Sequence, residues 1–206
     1  MRSSLPAPEP RASRRALLGA AAAGAALAAV HVRTWAAQDA AAEALLRQGG
    51  VVAAFRHSLA PGTFDPPGFR LDDCRTQRNL SEEGRAQARS VGRWFRQRQL
   101  RPDKVLSSPW CRCVDSATQA FGSPPEVWAA LGSPHGRPET AGAQHLRELR
   151  AALSAASARS GSFEVWFTHM FVLSELAGVN TGSGEALILR AGPDGRAEVL
   201  ARLVIP

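Results

Sequence analysis

The chain has no tyrosine and, in Lys104, a single lysine. No phenol can take part in its chemistry, and its positive charge is almost wholly arginine, which stays ionised at any relevant pH. Cysteine is also sparse. Cys74, Cys111 and Cys113 do not have the spacing of a structural zinc site. The most apolar stretch, residues 13–30 (SRRALLGAAAAGAALAAV), is too short and too alanine-rich for a membrane span of its own. No internal repeat and no low-complexity tract follow it. A length of 206 residues gives room for one domain with a sizeable core.

Net charge is +7 and the isoelectric point near 11, which at first points to nucleic acid. Much of that excess sits at the start, where Arg2, Arg11, Arg14, Arg15 and Arg33 face Glu9 alone. Without this leader the charge falls to about +3 and the nucleic-acid reading loses its support. Within the leader, Arg14-Arg15 followed by Leu17-Leu18 and a run of small residues resembles a twin-arginine export signal. The expectation is a leader and signal over residues 1–37, cut between about 28 and 42, ahead of one domain over residues 38–206. The twin-arginine export machinery would then be a partner. The domain would face the periplasm or exterior, touching membrane only if the signal stays uncleaved as an anchor.

Along the domain, short apolar strands alternate with helices. VVAAF, DKVLSS and FEVWFTH read as strands, and Ser81 suits an N-cap for a helix with Glu82 and Glu83 in its first turn. CVDSATQAF and residues 139–159 read as helices, and MFVLSELAG as a short one. VWAAL reads as either a strand or a turn of helix. EALILRA and AEVLARLVI form a terminal strand pair around Gly-Pro-Asp-Gly. This pattern predicts a three-layer α/β/α fold with a mainly parallel central sheet.

In such folds ligands sit beyond the carboxyl ends of the strands. Three predicted strands deliver basic side chains to that edge: VVAAF ends in Arg56-His57, VLSS leads through Pro-Trp-Cys to Arg112, and VWFT ends in His169. Two arginines and two histidines in one crevice suit a dianion, because guanidinium forks match phosphate oxygens. Nearby arginines also favour a neutral, nucleophilic imidazole. The start of the helix after Arg112 is expected to add backbone N–H groups to the same anion.

FRHS, NLSEEGRAQA, VLSSPWCRCVDSA and VWFTH, in this order, together resemble the histidine phosphatase superfamily, the phosphoglycerate-mutase-like fold, over roughly residues 50–190. The resemblance implies a nucleophilic His57 that becomes phosphohistidine, with Arg56, Arg112 and His169 holding the phosphoryl group. It points to an exported small phosphomonoesterase acting on a small phosphorylated substrate without cofactor or metal. Arg78 and Asn79, in TQRNLSEEGR, and Ser58, beside the nucleophile, are expected to touch substrate. Two departures stand out: Ser58 follows the histidine where the family usually has glycine, and Met170 and Phe171 follow His169 where an acidic or amide residue is common. They keep open a catalytically weak phosphate-ligand or partner-binding module on the same scaffold. A mutase would need a phosphorylated priming metabolite, which an exported protein would not obviously meet.

A phosphatase also benefits from a proton donor to the leaving oxygen. Asp65 is the first candidate, with Asp72, Asp73 and Glu139 as rivals. An exported chain makes a disulfide from Cys74 to Cys111 or Cys113 an expectation, with one thiol left over. Leu59, Phe64, Phe69 and Trp110 stand near the motifs, either packing the loop or lining an open site. His31, His135 and His145 show no partner pattern.

Overall fold

The computed structural model describes residues 39–134 and 139–205. The export-signal reading of residues 1–37, with His31 and His135, lies outside the described residues, as does the side chain of Glu139. A helix over residues 39–48 (α1) leads to β1 (Val51–Arg56), α2 (Glu82–Gln97), β2 (Lys104–Ser107), α3 (Cys111–Phe121) and β3 (Glu126–Val127). Then come α4 (Glu139–Ser157), β4 (Phe163–Thr168), α5 (Met170–Ala177), β5 (Ala186–Ala191) and β6 (Ala197–Leu203). VWAAL is divided: Val127 closes β3, and Ala129–Leu131 form a 3-10 turn. Among the described residues, no helix is long and apolar enough to cross a membrane.

The six strands form one sheet in the order β3-β2-β4-β1-β5-β6. β3, β2, β4 and β1 run parallel, while β5 and β6 close the sheet antiparallel. β1 is unbroken apolar sequence because both of its faces are covered. Val51, Ala53 and Phe55 pack into one core with Trp94 and Phe95 of α2, while Val52 and Ala54 pack into another with Leu149 and Leu153 of α4. Alternation along a single strand thus builds both layers.

Register aligns the working ends of the strands. Arg56 lies opposite Thr168, and Ser107 opposite Phe167, so His57, Ser108 and His169 emerge on one edge. α2 is brought close beneath that edge. Ser81 Oγ accepts the Gly84 N–H at 3.0 Å as the N-cap, and Ser81 N donates to Leu59 O at 3.1 Å. A Cβ on Gly84 would stand 2.0 Å from Leu59 O, so glycine is required for this helix to meet the chain two residues after His57.

Candidate active site

His57 is 2 % exposed at the end of β1. Its Nδ1 lies 2.8 Å from Ser58 O. A carbonyl can only accept, so Nδ1 carries the proton and Nε2 keeps its lone pair. Burial, followed by the charges of Arg112, Arg78 and Arg56, outweighs the Ser58 hydrogen bond and pulls the imidazole pKa down to about 3. The ring is therefore neutral at any ordinary pH.

His169 stands 5.5 Å from His57, ring centre to ring centre. Its Nδ1 faces Arg112 Nη2 at 3.5 Å and its Nε2 faces Ser108 Oγ at 2.8 Å. A guanidinium offers only protons, which assigns Nδ1 as acceptor and leaves Nε2–H donating to the serine. Ser108 was not among the residues given a role from sequence, although LSSPW contains it. Its signal was a hydroxyl at the same strand edge.

Three guanidinium groups surround His57. Arg56 Nη1 donates to Thr181 O at 2.8 Å. Arg78 is held by a short hydrogen bond from Nη1 to Ala60 O. Arg112, on the first turn of α3 and 4 % exposed, donates from Nη1 to both oxygens of Asp65, at 2.8 and 3.1 Å. The Nε–H of each of these arginines is buried without a hydrogen-bond partner. Buried donors left unpaired are costly, and all three of these arginines line one cavity. Desolvation first, then the positive charge of Arg112, lowers the pKa of both Arg56 and Arg78.

The cavity measures about 310 Å³ and brings together Arg56, His57, Asp65, Arg78, Arg112 and His169. Of the expected site residues, Ser58 and Asn79 are not in its lining. Ser58 is buried and its N–H donates to Ser116 Oγ at 2.9 Å. Among the described residues, Gln99 is the one non-glycine with positive φ, so Ser58 occupies backbone that needs no glycine. Asn79 Nδ2 instead donates to Cys74 O at 2.6 Å and Gln77 O at 3.2 Å, tying the loop to itself.

Asp65 does reach the cavity, but as a carboxylate. Burial raises its pKa, yet the Arg78 N–H, the Arg112 guanidinium and the Trp110 indole together hold it below the ordinary value. Two of its rivals are elsewhere: Asp73 pairs with Arg70 and Arg75 and caps the Cys74–Thr76 turn, and Asp72 is exposed near Arg70. The helix start also differs from expectation. The Cys111 N–H is taken by Gln77 Oε1 at 3.0 Å and the Cys113 N–H by Trp110 O at 2.9 Å, so neither faces an anion.

Cys74 and Cys111 form a disulfide, which fastens the loop to the residue before Arg112. Cys113 is a buried free thiol whose pKa burial pushes up to about 12. Phe64, Phe69 and Trp110 line the cavity, joined by Met170 and Phe171, while Leu59 does not. Among the described residues, no group of three or more His, Cys, Asp or Glu side chains is placed to hold a metal ion.

Residues 73–164 match the family model of the histidine phosphatase superfamily (branch 1). No curated protein sequence matches the chain. Among solved structures, the protein histidine phosphatase SixA complexed with tungstate aligns with a TM-score of 0.51 at 18 % identity, over 74 % of this chain and 96 % of that one. A phosphoserine phosphatase from Entamoeba histolytica, solved with phosphoserine, gives 0.53 at 11 % over 74 % and 95 %. The mycobacterial glucosyl-3-phosphoglycerate phosphatase gives 0.52 at 19 % over 75 % and 99 %. The three-layer α/β/α fold that the sequence pattern predicts is present, in the phosphoglycerate-mutase-like form that the resemblance implies.

Proposed function

We propose that this chain is a phosphatase of the histidine phosphatase superfamily, hydrolysing phosphate monoesters through a phosphohistidine at His57. One observation carries the reading: three guanidinium side chains, Arg56, Arg78 and Arg112, line one cavity with a neutral imidazole whose Nε2 keeps a free lone pair. Fixed donors of this kind bind a phosphoryl dianion and stabilise the charge that spreads over its equatorial oxygens in transfer.

In the first step His57 Nε2 forms a bond to phosphorus as the bond to the ester oxygen breaks. The leaving oxygen takes the proton of Asp65. In the second step water attacks phosphorus, the N–P bond breaks, and the water proton passes to the Asp65 carboxylate. Asp65 acquires its proton when substrate binds: the dianion claims Arg112, and a carboxylate that loses its cation beside two negative charges rises in pKa.

Quenched reaction of the purified protein with a labelled aryl phosphate tests the covalent step. Acid-labile, alkali-stable label on the protein, lost together with hydrolysis in His57→Ala, is expected. Hydrolysis that never labels the chain refutes the phosphohistidine path. The alternative, a phosphate-ligand binding module, draws on Met170 and Phe171 standing after His169, and turnover by the wild type decides against it.

We further propose that the domain works outside the cytoplasm after twin-arginine export. The Arg14-Arg15 pair with its alanine-rich run supports this reading, as does the Cys74–Cys111 disulfide, which suits an oxidising compartment. A mature protein whose mass still starts at Met1 in the periplasmic fraction would count against cleavage.

A further inference from the structure

Resting on the phosphomonoesterase reading, we propose that the substrate is the phosphate ester of an apolar, flat organic group, seated on an aromatic wall above the phosphate clamp. The cavity is chemically divided. Its charged side chains are those of the clamp and of Asp65, and the remaining lining is dominated by Phe64, Phe69, Trp110, Met170 and Phe171. Phe64 is 61 % exposed and Phe171 37 %, among the few large apolar side chains on the described surface. Both belong to the cavity, so the exposed aromatic surface is continuous with the place where phosphorus must sit.

The wall is built from both sides. Phe64 rides on the loop after His57, one residue before Asp65, whereas Met170 and Phe171 open α5 directly after His169. Met170 Sδ rests 3.8 Å from Arg56 Nη1, so the apolar wall begins at the edge of the clamp. Phe69 and Trp110 stand behind it in a tilted pair with ring centres 6.0 Å apart, and the Trp110 N–H is fixed on Asp65 Oδ2 at 3.1 Å. A ring on the leaving oxygen would cover Phe64 and Phe171 while its ester oxygen stays beside Asp65. The residues that depart from the family pattern after His169 are thereby specificity elements.

Two readouts on the full chain separate this idea from the hydrolase reading. The first is kcat/KM for phenethyl phosphate against ethyl phosphate, whose alkoxides are similar leaving groups, with glycerol phosphate as the polar control. The second is binding of benzylphosphonate against methylphosphonate, which needs no turnover. A preference of about tenfold or more for the aromatic member is expected in both, the order given by withdrawing a ring face from water. Phe64→Ser and Phe171→Ser should each shrink the ratio, and Phe64→Leu should preserve most of it; Phe64 is surface-exposed, so folding is not at stake there. Equal values for the two members, or a preference for glycerol phosphate, overturn the wall. Aromatic preference in phosphonate binding with no hydrolysis of any ester sustains the wall and sinks the hydrolase. Failure of both phosphonates to bind overturns the two together.

Discussion

Asp65 lies on Arg112 as a substrate phosphate would: the Nη1 group reaches both carboxylate oxygens, at 2.8 and 3.1 Å, in a pair that is at most 9 % exposed on either side. In the proposed mechanism the proton donor and the phosphate thus compete for the same cation. Asp65→Asn should therefore bind sulfate more tightly than the wild type while losing about 10²–10⁴-fold in kcat on an alkyl phosphate. Aryl phosphates, which need little protonation to depart, should lose far less. Calorimetry and steady-state rates on one preparation check both halves, and weaker sulfate binding by the variant contradicts the competition.

The same competition links binding to pH. Asp65 is ionised before the anion arrives, and its pKa rises once the anion has taken Arg112, so binding takes up a proton. Sulfate, which stays a dianion across the neutral range, should bind more weakly as pH rises. In Asp65→Asn that slope should be lost. Titrations in two buffers of different ionisation heat would measure the proton directly, and no uptake by the wild type would remove Asp65 from this role.

Folding stability should also respond to pH through His57. The buried imidazole has its pKa lowered to about 3, so between that value and the ordinary pKa near 6.5 the unfolded chain binds the extra proton. Stability is then complete above that ordinary value and declines as pH falls through the window. The Asp65 carboxylate, also depressed, pulls in the same direction. The His57 share amounts to roughly a few kcal/mol at the acid end. Urea unfolding from pH 4 to pH 8 should show the loss, and His57→Gln should flatten it.

The strands and their endings were legible because periodicity and order suffice: three apolar runs ending in Arg56-His57, Ser107-Ser108 and His169 require only that a parallel sheet align them. Asp65 was legible as an acid near the nucleophile but not as the partner of Arg112, since a loop of Pro, Gly and Asp gives no register. Asn79 shares its motif with Arg78, yet only Arg78 reaches the cavity, while the Asn79 amide turns back onto Cys74 O and Gln77 O. Gln77 carries no pattern at all. Its amide joins Arg70 O and Leu71 O to the Cys111 N–H, a role defined only once loop and helix are side by side.

The disulfide is the strongest fastening of that loop. Cys74 and Cys111 close a span of 37 residues that includes all of α2. Replacing both with serine should cost about 2–4 kcal/mol of stability, chiefly by freeing the unfolded chain. It should also raise KM for any phosphate ester, because Gln77 and Asp65 lose their fixed distance from Arg112. Unfolding curves and kinetics of Cys74→Ser/Cys111→Ser check this without touching the buried Cys113 thiol. Unaltered KM would show that hydrogen bonds alone hold the loop.

Ser108 offers the sharpest test of positioning. It directly follows β2 and accepts from His169 Nε2 at 2.8 Å, which turns Nδ1 toward Arg112. In Ser108→Ala that orientation rests on the weaker contact with Cys113 Sγ at 3.5 Å. The expected result is a fall of about tenfold or more in kcat, since the imidazole can rotate or change tautomer. KM should change little, because the three arginines proposed to bind ground-state phosphate are untouched. Ser108→Thr keeps a hydroxyl and should recover much of the rate if its methyl group fits. A loss of kcat that threonine does not restore, accompanied by lower thermal stability, would mean that Ser108 supports packing rather than the orientation of His169.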